Sequence, residues 1–148
     1  MYILGDIGNS ETKVYLVNSK DRIITNIVFP SKEISNKILN YKFKTLIKSY
    51  SGIKKILFCS VVPQSFNLIK KFLSKKVNKK CYEVKELRLK SLINISVNYK
   101  QVGSDRLTNA ISLLNKKDNF IILDFGTATT FDVVIKKRYR GGVIAPGI

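Results

Sequence analysis

The sequence predicts an α/β fold, and three observations carry that prediction. The chain opens on two short apolar stretches, YILGDI at 2–7 and TKVYLVN at 12–18, around the polar turn GNSE, which reads as a strand pair. Helix-like and strand-like hydrophobic periods then alternate along the chain. Finally the opening returns: YILGDIGNSETKVYLV at 2–17 aligns with FIILDFGTATTFDVVI at 120–135 at a constant offset of 118.

The elements follow in order. RIITNIVF at 22–29 is a third strand. Ser31 is the expected N-cap of a helix reaching about Lys48, with Ile34, Ile38, Leu39, Phe43, Leu46 and Ile47 on one face. KKILFCSVV at 54–62 reads as a buried strand closed by Pro63, and 63–76 as an amphipathic helix with Phe66, Ile69 and Leu73 inward. CYEVK at 81–85 is a short strand, and a less regular region runs on to Gln101. A helix is expected over 103–117, then strands at 120–125, 129–135 and 139–146. Antiparallel strands followed by crossover helices is the order of an actin- or hexokinase-like (ribonuclease H-like) half-domain.

Composition narrows the function classes. A chain of 148 residues makes one domain or two small lobes. No apolar run approaches ~18 residues, so no membrane span is expected. The start, MYILGDIGNS, lacks a basic n-region and is not expected to be a signal peptide. Two cysteines without a CxxC, and no histidine, argue against zinc. Cys59, inside ILFCSVV, reads as a small buried apolar residue, and a reducing cytoplasm is the expected compartment. The net charge of +17 would attract nucleic acid, anionic membrane or phosphorylated ligands. Yet most basic residues are lysines scattered over helix faces (Lys42, Lys44, Lys48, Lys70, Lys71, Lys75, Lys76) rather than framing an aromatic-rich motif. Only nonspecific electrostatics toward nucleic acid is expected.

The repeat carries the chemistry. Asp6 aligns with Asp124, Gly8 with Gly126 and Thr12 with Thr130. Each copy is a strand ending in Asp, a glycine-containing turn and a second strand. The glycine lets the backbone come close to a ligand. Successive turn N–H groups can form an anion nest, and Asn9, Ser10, Thr12, Thr127, Thr129 and Thr130 offer short donors to phosphate oxygens. An aspartate there serves a cation that neutralises phosphate charge. Two such turns facing one another would clamp a triphosphate. One copy alone would be an ordinary hairpin turn; two aligned copies favour a duplicated nucleotide-binding architecture.

The letters DFG at 124–126 do not make a protein kinase, which needs a Gly-rich loop, a VAIK lysine and an HRD loop. No Walker A loop or GxGxxG occurs either. A candidate base lies in GSDR at 103–106, where Asp105 could accept a hydroxyl proton and Arg106 supply positive charge near a transferred phosphoryl group. From spacing alone, Ser104 or Asp105 as a helix N-cap and Arg106 as a surface cation is the stronger reading.

Taken together, DIGNS at 6–10, CSVVP at 59–63, GSDRLTNA at 103–110, DFGTATTFD at 124–132 and GGVIAPGI at 141–148 resemble the type III pantothenate kinases, in the family's order along essentially the whole chain. The resemblance implies an acetate- and sugar-kinase/actin-like fold and a homodimer. It also implies ATP-dependent phosphorylation of pantothenate in coenzyme A synthesis, with Mg²⁺ and a monovalent cation, K⁺ or NH₄⁺. By matching position, Asp6, Ile7, Gly8, Asn9, Ser10, Glu11, Thr12 and Lys13 would form the first ATP phosphate turn, with Thr127 a further ATP contact. Tyr99, Gly103, Ser104, Asp105 and Arg106 would line the pantothenate site, Asp105 would be the proton acceptor, and Asp124 would bind the monovalent cation. Ser10 stands where Thr is usual and Ser104 where Ala is usual; neither removes chemistry.

The same resemblance sets the expected organisation. Residues 1–117 would form a lobe with the first phosphate turn and substrate helix, and 118–148 the start of a second, incomplete lobe. Family members continue well past GGVIAPGI, so the second lobe is expected to lack a covering helix and to bare an apolar face. A fragment, a truncated product and half of a split protein all stay open, and efficient phosphorylation of pantothenate by 1–148 alone is not expected. Another sugar or acetate kinase, and a non-catalytic regulatory or accessory protein that kept the fold, are the alternatives. Retention of Asp6, Asp105, Arg106, Asp124 and Thr127 argues against a long-decayed site.

Overall fold

The computed structural model describes residues 1–49, 52–116 and 118–147, without the side chains of residues 45 and 47–49. The expected positions of the Ile47 and Lys48 side chains, and of Lys117 and Ile148, lie outside the described residues. The chain forms two compact units, Met1–Glu86 and Leu87–Ile148. The boundary expected at 117/118 falls inside the second unit, so residues 103–116 group with the later strands.

The first unit holds a five-stranded sheet of order β3-β2-β1-β4-β5. Strands β1 (Tyr2–Ile7), β2 (Glu11–Val17) and β3 (Ile23–Pro30) form an antiparallel meander, and β4 (Lys55–Ser60) and β5 (Cys81–Glu83) extend the sheet in parallel. Parallel pairing needs crossovers, which helices α1 (Asn36–Ser49) and α2 (Pro63–Val77) supply. Their buried residues Leu39, Phe43, Leu46, Phe66, Ile69 and Leu73 join Ile3, Ile7, Val14, Leu16, Ile56 and Phe58 in one core. Gly5 is what lets the Phe58 ring lie across β1: a Cβ there would come within 2.0 Å of Phe58 Cε1.

Two local expectations need correction. Ser31 does not cap α1; it sits buried in a 3-10 turn over Ser31–Glu33, and α1 begins after Ser35, whose Oγ accepts from Ile38 N at 3.4 Å. Cys59 is half-buried rather than core, and its thiol donates to Asp6 Oδ1 at 3.3 Å. The irregular region to Gln101 contains 3-10 turns and a two-residue strand, β6 (Asn94–Ile95).

The second unit has a four-stranded sheet of order β6-β9-β8-β7, with β7 (Phe120–Phe125), β8 (Ala128–Ile135) and β9 (Arg138–Pro146) antiparallel and β6 parallel to β9. Helix α3 (Ser104–Ser112) is shorter than expected, because Leu113 N and Leu114 N turn back to Ala110 O and Ile111 O and tighten its end. Bonds from α3 to Asp124 and Asp132 seat it on the sheet face that also holds buried Val134 and Tyr139. On the opposite face Ile121, Leu123, Phe125 and Val143 stand 69%, 48%, 62% and 65% exposed. The expected bare apolar face is present.

Candidate active site

The first Asp–Gly turn joins β1 to β2 and is braced from below. Gly8 N donates to Glu11 O at 3.0 Å, and Ser31 N donates to Ser10 O at 2.8 Å. Ser31 Oγ donates to Gly8 O at 2.7 Å and meets the buried Thr12 Oγ1 at 2.9 Å. These bonds fix the turn's inner side and leave Asn9, Ser10 and Glu11 exposed outside. Ile7 is part of the core, while Asp6 is half-buried beside Cys59, its register partner on β4. Lys13 Nζ lies 3.7 Å from Glu11 Oε2, an exposed pair of little energetic weight.

The second turn joins β7 to β8. Asp124 is exposed and accepts from Asn109 Nδ2 of α3 at 3.0 Å. Gly126 and Thr127 are exposed and Thr129 is buried. Thr130 Oγ1, the counterpart of Thr12 Oγ1, is buried without a hydrogen-bond partner. Gly147 runs so close over the turn that a Cβ there would come 2.1 Å from Gly126 O.

Neither turn glycine is required by its own backbone. Only Gly52 and Gly141 have positive φ among the described glycines; a Cβ on Gly126 would meet only ordinary contact, 3.6 Å from Ala128 O, whereas one on Gly8 would press to 3.3 Å on Glu11 O. Glycine here keeps the outer side of the turn open to whatever approaches it.

Helix α3 presents GSDR at its start. Its N-cap is Gly103, with no side-chain cap bond, so neither Ser104 nor Asp105 caps it. Ser104 is buried, and Asp105 is half-buried in the first turn with Oδ1 accepting from Arg106 N at 2.8 Å. Arg106 is no surface cation. Its Nε donates to both oxygens of Asp132 at 2.9 and 3.0 Å and its Nη2 to Oδ1 at 2.6 Å, with 11% of its side chain exposed. That hydrogen-bonded partner raises the guanidinium pKa above its ordinary value. Tyr139 Oη donates to the same Oδ1 at 2.5 Å, and burial first, then this bond, pushes the phenol up. Tyr99 is half-buried in the loop before α3, with Lys90 Nζ 5.4 Å from its ring centroid.

Of the sequence-predicted residues, the second unit therefore gathers Tyr99, Gly103, Ser104, Asp105, Arg106, Asp124 and Thr127, and the first unit holds Asp6 to Lys13. Sequence reasoning missed Ser31, Asn109, Asp132 and Tyr139. One signal was available: Asp132 is an acid in the middle of an apolar strand, and such a group is rarely buried unpaired. No group of three or more His, Cys, Asp or Glu able to hold a metal occurs among the described residues. A lone exposed carboxylate beside a turn, as at Asp124, suits a weakly held cation. Mg²⁺ is commonly bound by one or two carboxylates plus substrate phosphates, a demand Asp6 can meet.

The meander followed by parallel crossovers, with an Asp–Gly turn at the head of each sheet, defines an actin/hexokinase-like α/β fold. Solved structures share it. A 2-dehydro-3-deoxygalactonokinase assignment from Sinorhizobium meliloti superposes with TM-score 0.56 at 9% identity, over 97% of this chain and 53% of that one. An ethanolamine utilization protein from Carboxydothermus hydrogenoformans gives 0.57 at 9% identity, over 98% and 51%. At such identities these speak for fold alone. Among sequence relatives, a type III pantothenate kinase of Pelagibacter ubique is 59% identical over all 148 residues, and one of Desulforapulum autotrophicum 32% identical over 155 aligned residues. The profile of the type III pantothenate kinase family matches residues 2–148. The chain belongs to that family. It spans 60% and 59% of the lengths of those two relatives.

Proposed function

We propose that this polypeptide is the nucleotide- and acceptor-binding part of a kinase that transfers the γ-phosphoryl group of ATP to the 4′-hydroxyl of pantothenate, the first step of coenzyme A synthesis. The observation that carries the reading is the pair of Asp–Gly turns, neither of whose glycines is demanded by a positive φ, within a chain of this family. Backbone N–H groups and short side chains from Asp6 to Lys13, with Thr127, take the ATP phosphates. Tyr99, Gly103, Ser104 and Arg106 hold pantothenate. Asp105 orients the hydroxyl and accepts its proton as the oxygen bonds to phosphorus and ADP leaves. Bound Mg²⁺ near Asp6 and a monovalent cation at Asp124 (K⁺ or NH₄⁺) would offset phosphate charge. A cytoplasmic homodimer is the form the resemblance favours; no helix among the described residues is long and apolar enough to cross a membrane.

The test uses two proteins: residues 1–148 alone, and 1–148 continued by the C-terminal portion of the Pelagibacter ubique relative. ATP-dependent 4′-phosphopantothenate is expected from the second and not the first, with a loss of about 100-fold or more in Asp105→Asn, the scale of a general base. Equal activity in Asp105→Asn, or a sugar or acetate preferred as acceptor, would refute the assignment.

A further inference from the structure

Asp132 occupies the middle of β8 and is fully buried. It is held from two sides, by the Arg106 guanidinium and the hydroxyl of Tyr139, itself fully buried on β9. Space for it is provided across the ladder. Asp132 pairs with Gly142, where a Cβ would come within 2.8 Å of Asp132 Oδ1 and 1.8 Å of Phe131 O. A buried ion pair of this kind is poor value as a stabilising device, because apolar residues of similar volume often serve as well. Its geometry serves orientation instead. A guanidinium has a side edge, Nε with Nη2, and an end edge, Nη1 with Nη2. Asp132 takes the side edge, and the end edge meets no acceptor among the described residues.

We propose that Asp132, braced by Tyr139, is a positioning residue that locks Arg106 so that the end edge of its guanidinium faces an anionic oxygen of the phosphoryl acceptor in a single orientation. The proposal rests on the reading of the start of α3 as the acceptor site.

Two observables separate this from a merely structural pair, both read on the 148-residue chain by NMR. The first is solvent exchange of the Arg106 Nε–H, compared with that of the exposed Arg22 and Arg138. The second is affinity for pantothenate. In the wild type the Arg106 signal should exchange far more slowly than the exposed ones. Asp132→Asn should bring it to their rate and weaken pantothenate binding about tenfold or more, as for loss of a charge-assisted contact. Tyr139→Phe, which removes one hydroxyl and keeps the ring, should speed exchange partway and weaken binding about two- to fivefold. Faster exchange with unchanged affinity in either variant would overturn the proposal, as would fast exchange in the wild type. Should Asp132→Asn fail to fold, Tyr139→Phe decides alone on the same criteria. Should the wild type ignore pantothenate, the acceptor reading fails, and acetate as a bare carboxylate probe decides the positioning. Contact at Arg106 that weakens in the variants supports it, and contact that is unchanged or absent sinks it.

Discussion

Valine in place of Thr12 and of Thr130, one at a time, should move stability in opposite directions although the two positions are equivalent in the repeat. Thr12 Oγ1 is buried and bonded to Ser31 Oγ at 2.9 Å, and the Ser31 hydrogen is already committed to Gly8 O. Thr12 is therefore the donor in that contact, and valine deletes one neutral buried hydrogen bond worth about 1 kcal/mol. Thr130 Oγ1 is also buried but bonded to nothing. Its desolvation is uncompensated, a cost of about 1–3 kcal/mol that valine would relieve. With a urea m-value of about 2 kcal/mol/M, the midpoints should separate by roughly 1–2 M, Thr12→Val falling and Thr130→Val rising. Urea unfolding followed by far-UV circular dichroism measures this directly. A fall of similar size in both variants would refute the reasoning. It would mean that the Thr130 hydroxyl is satisfied in the unliganded protein and that the asymmetry between the turns is not real.

Further outcomes follow from the same geometry. Leu123→Thr on the bare sheet face should change stability by no more than about 0.5 kcal/mol, whereas Leu107→Ala under α3 should cost about 2–5 kcal/mol; urea titration of both compares them. Gly126→Ala should leave stability within about 1 kcal/mol, since the new Cβ meets only ordinary contacts, yet weaken ATP binding in calorimetry. Burial pushes the Cys81 thiol from 9.0 up to about 12. The unfolded chain then loses this proton first, so the group's contribution is intact below about pH 9 and is lost as pH rises toward 12. Alkaline destabilisation should accordingly be smaller in Cys81→Ala. Binding to DNA, driven by the charge of +17, should be weak and should vanish between about 50 and 200 mM salt.

The sheet elements were readable because short runs of β-branched, aromatic and other apolar residues bounded by turn residues are a local signal. TKVYLVN and FIILDF are such runs, and both strands begin and end within a residue of the stretch that predicts them. The duplicated turn was readable for the same reason, since its Asp, Gly and Thr recur at one offset. What stayed hidden depends on long-range contacts. Ser31 looks like a helix cap because it precedes a helical period, but its hydroxyl is drawn 23 residues back to Gly8. Arg106 looks like a surface charge until β8, 26 residues later, brings Asp132 beside it. The two-residue β6 exists only because β9 offers it an edge, so no local pattern announces it.

Whether both Asp–Gly turns bind the phosphates of one class of ligand is decided by titrating ¹⁵N-labelled protein with Mg·ATP. Amide shifts should concentrate at Gly8–Thr12 and Gly126–Thr130, and should shrink in Asp6→Asn. Shifts confined to the exposed lysines of α2, Lys71, Lys75 and Lys76, and erased by salt would contradict it.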